Sequence, residues 1–167
     1  MKLSTREDID APIDHVFARV SDFAGFERAA LRRGAEVTRA DRLTKPAPGM
    51  VWKIAFDWRH KRRQMVAELV DFIPPNRQRF DIDSRAIQAT LSVDLIPMSP
   101  RRTRVAVELE FRPKTLTARL VVQSLRMTRA RQTARFRQNV AAFAQEIEAS
   151  QPTNRTAPQA QPRPGTF

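Results

Sequence analysis

Ile87-Gln88-Ala89-Thr90-Leu91-Ser92-Val93-Asp94-Leu95 alternates apolar and polar side chains without a break. A period of two puts Ile87, Ala89, Leu91, Val93 and Leu95 on one face of a strand and leaves the other face wet. The stretch from Thr103 repeats the pattern, with Thr103, Val105, Val107, Leu109 and Phe111 set against Arg104, Ala106, Glu108 and Glu110. Upstream, Met50, Trp52, Ile54, Phe56 and Trp58 share a face that is heavy for a single strand. Stretches near Gln64–Asp71 and Gln78–Ser84 complete a set of five between Met50 and Phe111. A half-buried antiparallel sheet is the expected result.

After Pro113 the period lengthens. Leu116, Leu120 or Val121, Leu125, Thr128, Phe136, Val140, Phe143 and Ile147 recur at threes and fours, which predicts one long helix from about Thr115 to Glu148. Thirty such residues would extend about 45 Å, enough to cross a sheet. Before the strands, Lys2–Asp10 reads as a first strand, ended at Ala11-Pro12 because proline opens a helix more readily than it extends a ladder. Ile13, Val16, Phe17 and Val20 then mark a short helix. Ser21 or Asp22 can cap a second, which Gly34 ends. A brief strand follows at Ala35–Ala40, and a loop at Leu43–Gly49. Arg59 to Arg63 form a basic connection at one sheet end, Pro74-Pro75-Asn76 a turn, and Pro97 and Pro100 a break between the last two strands.

The chain of 167 residues accommodates one domain with a real core. That domain is expected over residues 1–148, and the polar, proline-rich residues 149–167 are expected to be a disordered tail. With no cysteine, disulfides, thiolate metal sites and cysteine nucleophiles are excluded. The charged, alternating start and the lack of a run of about 18 apolar residues predict neither a signal peptide nor a transmembrane helix, and a cytoplasmic location is expected.

A strand, two short helices, a run of strands and a long final helix resemble the helix-grip fold of the START-like (SRPBCC) superfamily. Within it, Ala11-Pro12-Ile13-Asp14-His15-Val16-Phe17, Val20-Ser21-Asp22-Phe23 with Phe26-Glu27-Arg28, and Gly49 ahead of the Trp52 strand make the chain similar to the polyketide cyclase/dehydrase and lipid-transport family. Phe26 stands where relatives commonly carry tryptophan. The resemblance implies an α+β fold, a curved antiparallel sheet wrapped around the C-terminal helix, with a cavity between them. It further implies binding or transport of a hydrophobic small molecule, such as a lipid, quinone or polyketide. Cyclase or dehydratase chemistry is the family's alternative.

Trp52, Phe56, Met65, Phe80 and Leu91 on the inward strand phases, with Met127 from the helix, are the expected lining residues. Glu7, in phase with Leu3 and Ile9, and Ser124 are the candidate polar groups of such a cavity. An isolated carboxylate there would need a partner or a proton. No residue is assigned a catalytic role. His15 and His60 lie far apart, no serine or threonine has a histidine to activate it, and tyrosine is absent. No metal-ligand spacing or phosphate-cradling glycine loop occurs, so neither metal nor cofactor is expected. The net charge of +12 draws the chain towards anionic partners. Arg59, Lys61, Arg62 and Arg63 are the candidate contacts to an anionic membrane, with a basic-surface interaction protein as a further alternative. Nucleic acid is not expected, because no aromatic residues interleave with the arginines to stack on bases.

Overall fold

The computed structural model describes residues 1–58 and 60–152, with the side chains of Trp58 and Arg126 excepted. Arg59 and most of the expected tail, 153–167, lie outside the described residues.

The strands are β1 (Lys2–Ile9), β2 (Glu36–Arg39), β3 (Val51–Trp58), β4 (Lys61–Ile73), β5 (Arg77–Ser84), β6 (Ile87–Ser99) and β7 (Arg102–Pro113). They form one curved antiparallel sheet in the order β1-β7-β6-β5-β4-β3-β2. Helices α1 (Ile13–Val20) and α2 (Phe23–Arg32) follow β1, and α3 (Leu116–Met127) and α4 (Arg129–Ala149) close the chain. The architecture is the α+β arrangement read from the sequence.

The pairing register keeps the apolar phases together. Leu69 faces Phe80, Phe80 faces Leu91, Leu91 faces Leu109, and Leu109 faces Leu3. One continuous row thus crosses five strands, and slipping any strand by one residue would turn its apolar set to water.

Local signals fix the two short helices. The Asp22 carboxylate accepts from Gly25 N–H at 2.9 Å and caps α2; a Cβ at residue 25 would lie 2.2 Å from Asp22 Oδ2, so the capping side chain would have to shift to admit one. Gly34, at φ +84°, follows the C-terminus of α2 in the left-handed region. The boundary residue of α1 is Pro12.

Three boundaries differ from expectation. Lys61, Arg62 and Arg63 belong to β4, where they face Trp58, Asp57 and Phe56, and His60, at φ 60°, directly precedes that strand. Strand β6 continues through Pro97 to Ser99, and the proline stands beside a register irregularity, where a strand tolerates a missing donor. The long final helix is interrupted at Thr128, which leaves helical geometry at φ −106°, ψ 21°. There the Thr128 N–H and hydroxyl both donate to the Leu125 carbonyl, at 3.2 and 3.3 Å, a side-chain bond that competes with the helical ladder. The 21 residues of α4 extend about 31 Å instead of 45 Å.

The core has two parts. Ile9, Ala11, Val16, Leu95, Val105, Ala144 and Ile147 tie the end of α4 to α1 and the β1 side of the sheet. Phe23, Met50, Trp52 and Leu69 form the second cluster under α2. Each large side chain removed from water there contributes roughly 1.5–3 kcal/mol. Polar contacts pin the same helix end: Asp10 N–H donates to Glu148 Oε1 at 2.8 Å, and Gln151 Nε2 donates to the Asp10 carbonyl. His15 Nε2 lies 3.1 Å from both the Ile147 carbonyl and Ser150 Oγ. It serves the helix terminus, as a structural histidine would.

Candidate functional site: an apolar cavity under the last helix

Helix α4 packs along β1, the edge strand, so the middle of the sheet is left without a close partner. A cavity of about 540 Å³, partly open to solvent, occupies that gap. Its floor comes from β3 to β7, through residues such as Trp52, Phe80 and Leu91. One wall is α4, with Phe136, Val140 and Phe143, and another is α2, with Phe23 and Phe26. The volume falls within the range of small-molecule sites.

The expected lining residues divide evenly. Trp52, Phe80 and Leu91 line the cavity; Phe56, Met65 and Met127 do not. Phe56 and Met65 share the inward phase, but they face Arg63 and Ile54 near the β3–β4 turn, beyond the cavity. Met127 is 90% exposed. It lies nine residues after the buried Ala118, and at roughly 3.6 residues per turn that is the opposite side of α3. The helix wall comes from α4 and not from the segment around Ser124.

The polar candidates also fall elsewhere. Glu7 lies on the inward phase opposite Val105, half-buried, yet outside the lining. Ser124 is exposed and donates to the Val121 carbonyl of its own helix at 2.7 Å. Of the hairpin residues, Arg62 is held by Glu36 at 2.5 Å and by Asp57 at 3.9 Å. Lys61 is exposed, Arg63 continues β4, and Arg59 lies outside the described residues.

The polar groups that do line the cavity are Glu27, Gln78 and Asn139. Gln78 is buried, and its Nε2 donates to Ser21 Oγ at 2.6 Å. Glu27 is half-buried on α2, where its Oε1 accepts from Trp52 Nε1 at 2.7 Å. Four residues separate Glu27 from the buried Phe23, so the helical spacing of α2 already places it on the core face. The signal was in the sequence, beside the Phe26 that carried the family resemblance.

Behind Trp52 the charges are ordered in a series. The Arg39 guanidinium lies 5.2 Å from the centre of the indole ring and pairs with Asp41. Arg39 Nε donates to Asp41 Oδ2 at 2.8 Å, and Nη2 donates to Oδ1 at 2.5 Å. This bonding, together with the N–H groups of Val51 and Leu43, holds the Asp41 carboxyl far below its usual range, against the opposing effect of burial. The Asp41 bond in turn raises Arg39, and Glu27 adds to that rise at longer range. Asp41 therefore fastens the loop before β3 to the strand that bears Trp52.

Among the described residues, the cavity lining contains no histidine, lysine or arginine, and Glu27 is its one ionisable group. Among the described residues, no three His, Asp or Glu side chains converge as metal ligands would.

The sequence pattern of the polyketide cyclase/dehydrase and lipid-transport family matches residues 1–148. The chain belongs to that family. No curated protein matches the chain. Among solved structures, a Thermus thermophilus protein is similar over 91% of this chain and 100% of its own, at 14% identity and a TM-score of 0.64. The Zhui aromatase/cyclase of a Streptomyces species covers 89% of this chain and 93% of its own, at 13% identity and a TM-score of 0.62. Norcoclaurine synthase from Thalictrum flavum, in complex with dopamine and hydroxybenzaldehyde, covers 91% and 88%, at 10% identity and a TM-score of 0.61. At such identities the likeness is one of fold.

Proposed function

We propose that the protein binds and carries an apolar small molecule of lipid, quinone or polyketide type in the cavity under α4, without altering it. The observation that carries this reading is the lining itself, in which 20 of 23 residues are apolar and the three polar ones include a single ionisable group. Such a wall gains roughly 25 cal/mol for each Å² of ligand apolar surface it takes from water, and so selects for greasiness and shape. Glu27, fixed by Trp52, gives the ligand one oriented acceptor. A molecule with an apolar body and one hydrogen-bond-donating end suits that arrangement.

Filling the space tests the proposal. Ile82→Trp and Val107→Trp each place an indole in the cavity from a strand that stays paired on both sides. Both variants should lose binding of an apolar fluorescent probe while keeping the wild-type circular dichroism spectrum. Native mass spectrometry of the gently purified full chain should reveal a co-purifying mass that organic extraction removes. Equal probe binding by wild type and both filled variants would refute the cavity as the site.

A further inference from the structure

Helix α3 has two apolar faces. Ala118 and Val122 are buried on the side towards β7, each about 5% exposed. Leu116, Leu120 and Met127, spaced four and seven residues apart, form a stripe on the other side, at 76%, 66% and 90% exposure. Among the described residues nothing covers that stripe. Burial of an amphipathic helix normally consumes its apolar side, so a second apolar stripe facing water calls for a partner.

Unpaired positive charge on α3 and α4 identifies the partner's chemistry. Arg119 on α3, and Arg129, Arg131, Arg135 and Arg137 on α4, are exposed and have no ion-pair partner among the described residues. The hairpin differs, since Arg62 there is neutralised by Glu36. A second copy of this chain, itself at +12, would bring arginines against arginines. An anionic bilayer offers the two things this surface lacks, counter-charge and an apolar layer just beneath it. The exposed side chains are aliphatic, which suits acyl chains and offers no ring for base stacking.

We propose that the outer face of α3 docks the protein on an anionic lipid surface, with Leu116, Leu120 and Met127 entering the headgroup boundary and the arginines of α3 and α4 meeting the phosphates. The helix lies in the interface and does not cross it; no helix among the described residues is long and apolar enough to span a bilayer. Each basic residue near such a surface is worth about fivefold in affinity at moderate salt. The proposal does not depend on what the cavity holds.

The test uses the full chain and two kinds of vesicle, phosphatidylcholine alone and phosphatidylcholine with an equal part of phosphatidylglycerol. Co-sedimentation should occur with the mixed vesicles only and should weaken as salt is added. The variant L116S/L120S/M127S keeps every arginine, yet its affinity should fall by about tenfold or more. R131Q/R135Q should also bind more weakly, while keeping the stripe. On mixed vesicles the wild-type amides of residues 116–127 should gain hydrogen-exchange protection. Wild type that ignores mixed vesicles, a serine variant that binds them equally well, or vesicle binding without protection of α3 would each overturn the proposal. So would a wild-type dimer in sedimentation velocity that the serine variant abolishes, because the stripe would then be covered by a second copy.

Discussion

Removing the Glu27 carboxylate leaves Trp52 Nε1 as a donor without its acceptor, on a residue only 6% exposed. A buried donor deprived of its partner costs about 1–3 kcal/mol, and a hydrogen bond to a charged group contributes about 1.5–3 kcal/mol net. Glu27→Ala should therefore destabilise the protein by about 2 kcal/mol. In a chain of this size each kcal/mol corresponds to about 2–4 °C in Tm. Trp52→Phe removes the donor but also disturbs packing, since the indole meets Phe23 edge-on at 5.3 Å and Phe80 at 6.2 Å. The double variant cancels that packing loss, so urea unfolding of wild type, the two single variants and the double variant isolates the bond. A coupling energy of about 1.5 kcal/mol or more is expected. Glu27→Gln keeps a neutral acceptor and should retain about half of the stabilisation. A coupling energy below about 0.5 kcal/mol, the level at which distant sites are additive, would show that Trp52 does not hold Glu27 in solution. The cavity would then have lost its oriented acceptor.

Three further outcomes follow from neighbouring groups. Glu27→Gln should weaken binding of a long-chain amine by about tenfold relative to a fatty acid of equal length, measured by probe displacement, because the charged acceptor is lost while the apolar walls remain. Asp41 has a folded-state pKa below its unfolded one, so its stabilisation is complete above the ordinary carboxylate range of about 4 and is lost as pH falls towards the lower folded value. Denaturation curves across that acid range should show the loss, and Asp41→Asn should flatten it. Gly25→Ala should leave thermal stability nearly unchanged, because the helix gain of about 1 kcal/mol offsets the loss of the displaced Asp22 cap, whereas the same change in an Asp22→Ala background should stabilise by about 1 kcal/mol.

The fold could be read because its signals are local and agree with one another. The alternation in β6 and β7, the Asp22 cap and the φ +84° demanded at Gly34 each act within a few residues, and each is visible without tertiary structure. What could not be read depends on competition over longer range. Pro97 argues locally for a break, yet the ladder with β7 extends past it. Thr128 looked like one more member of a helical stripe, but the stripe served two helices with different partners, α3 on β7 and α4 on β1.

The cavity raises a harder problem, because period two gives the face of a strand and says nothing of position along it. Trp52, Ile54 and Phe56 share one face of β3, and the first two line the void while the third lies past its end. Only the placement of α4 separates them, and that placement is set at the far end of the helix, where Ala144 and Ile147 are buried against the β1 side. Glu27 was missed for a different reason. Neither the strand phases, which offer Glu7, nor the final helix, which offers Ser124, supplies this group; the carboxylate enters from α2, where a buried phenylalanine one turn earlier fixes its direction. The cavity is thus written twice in the sequence: the strands declare its apolar floor, and the short helix ahead of them brings a carboxylate to its wall.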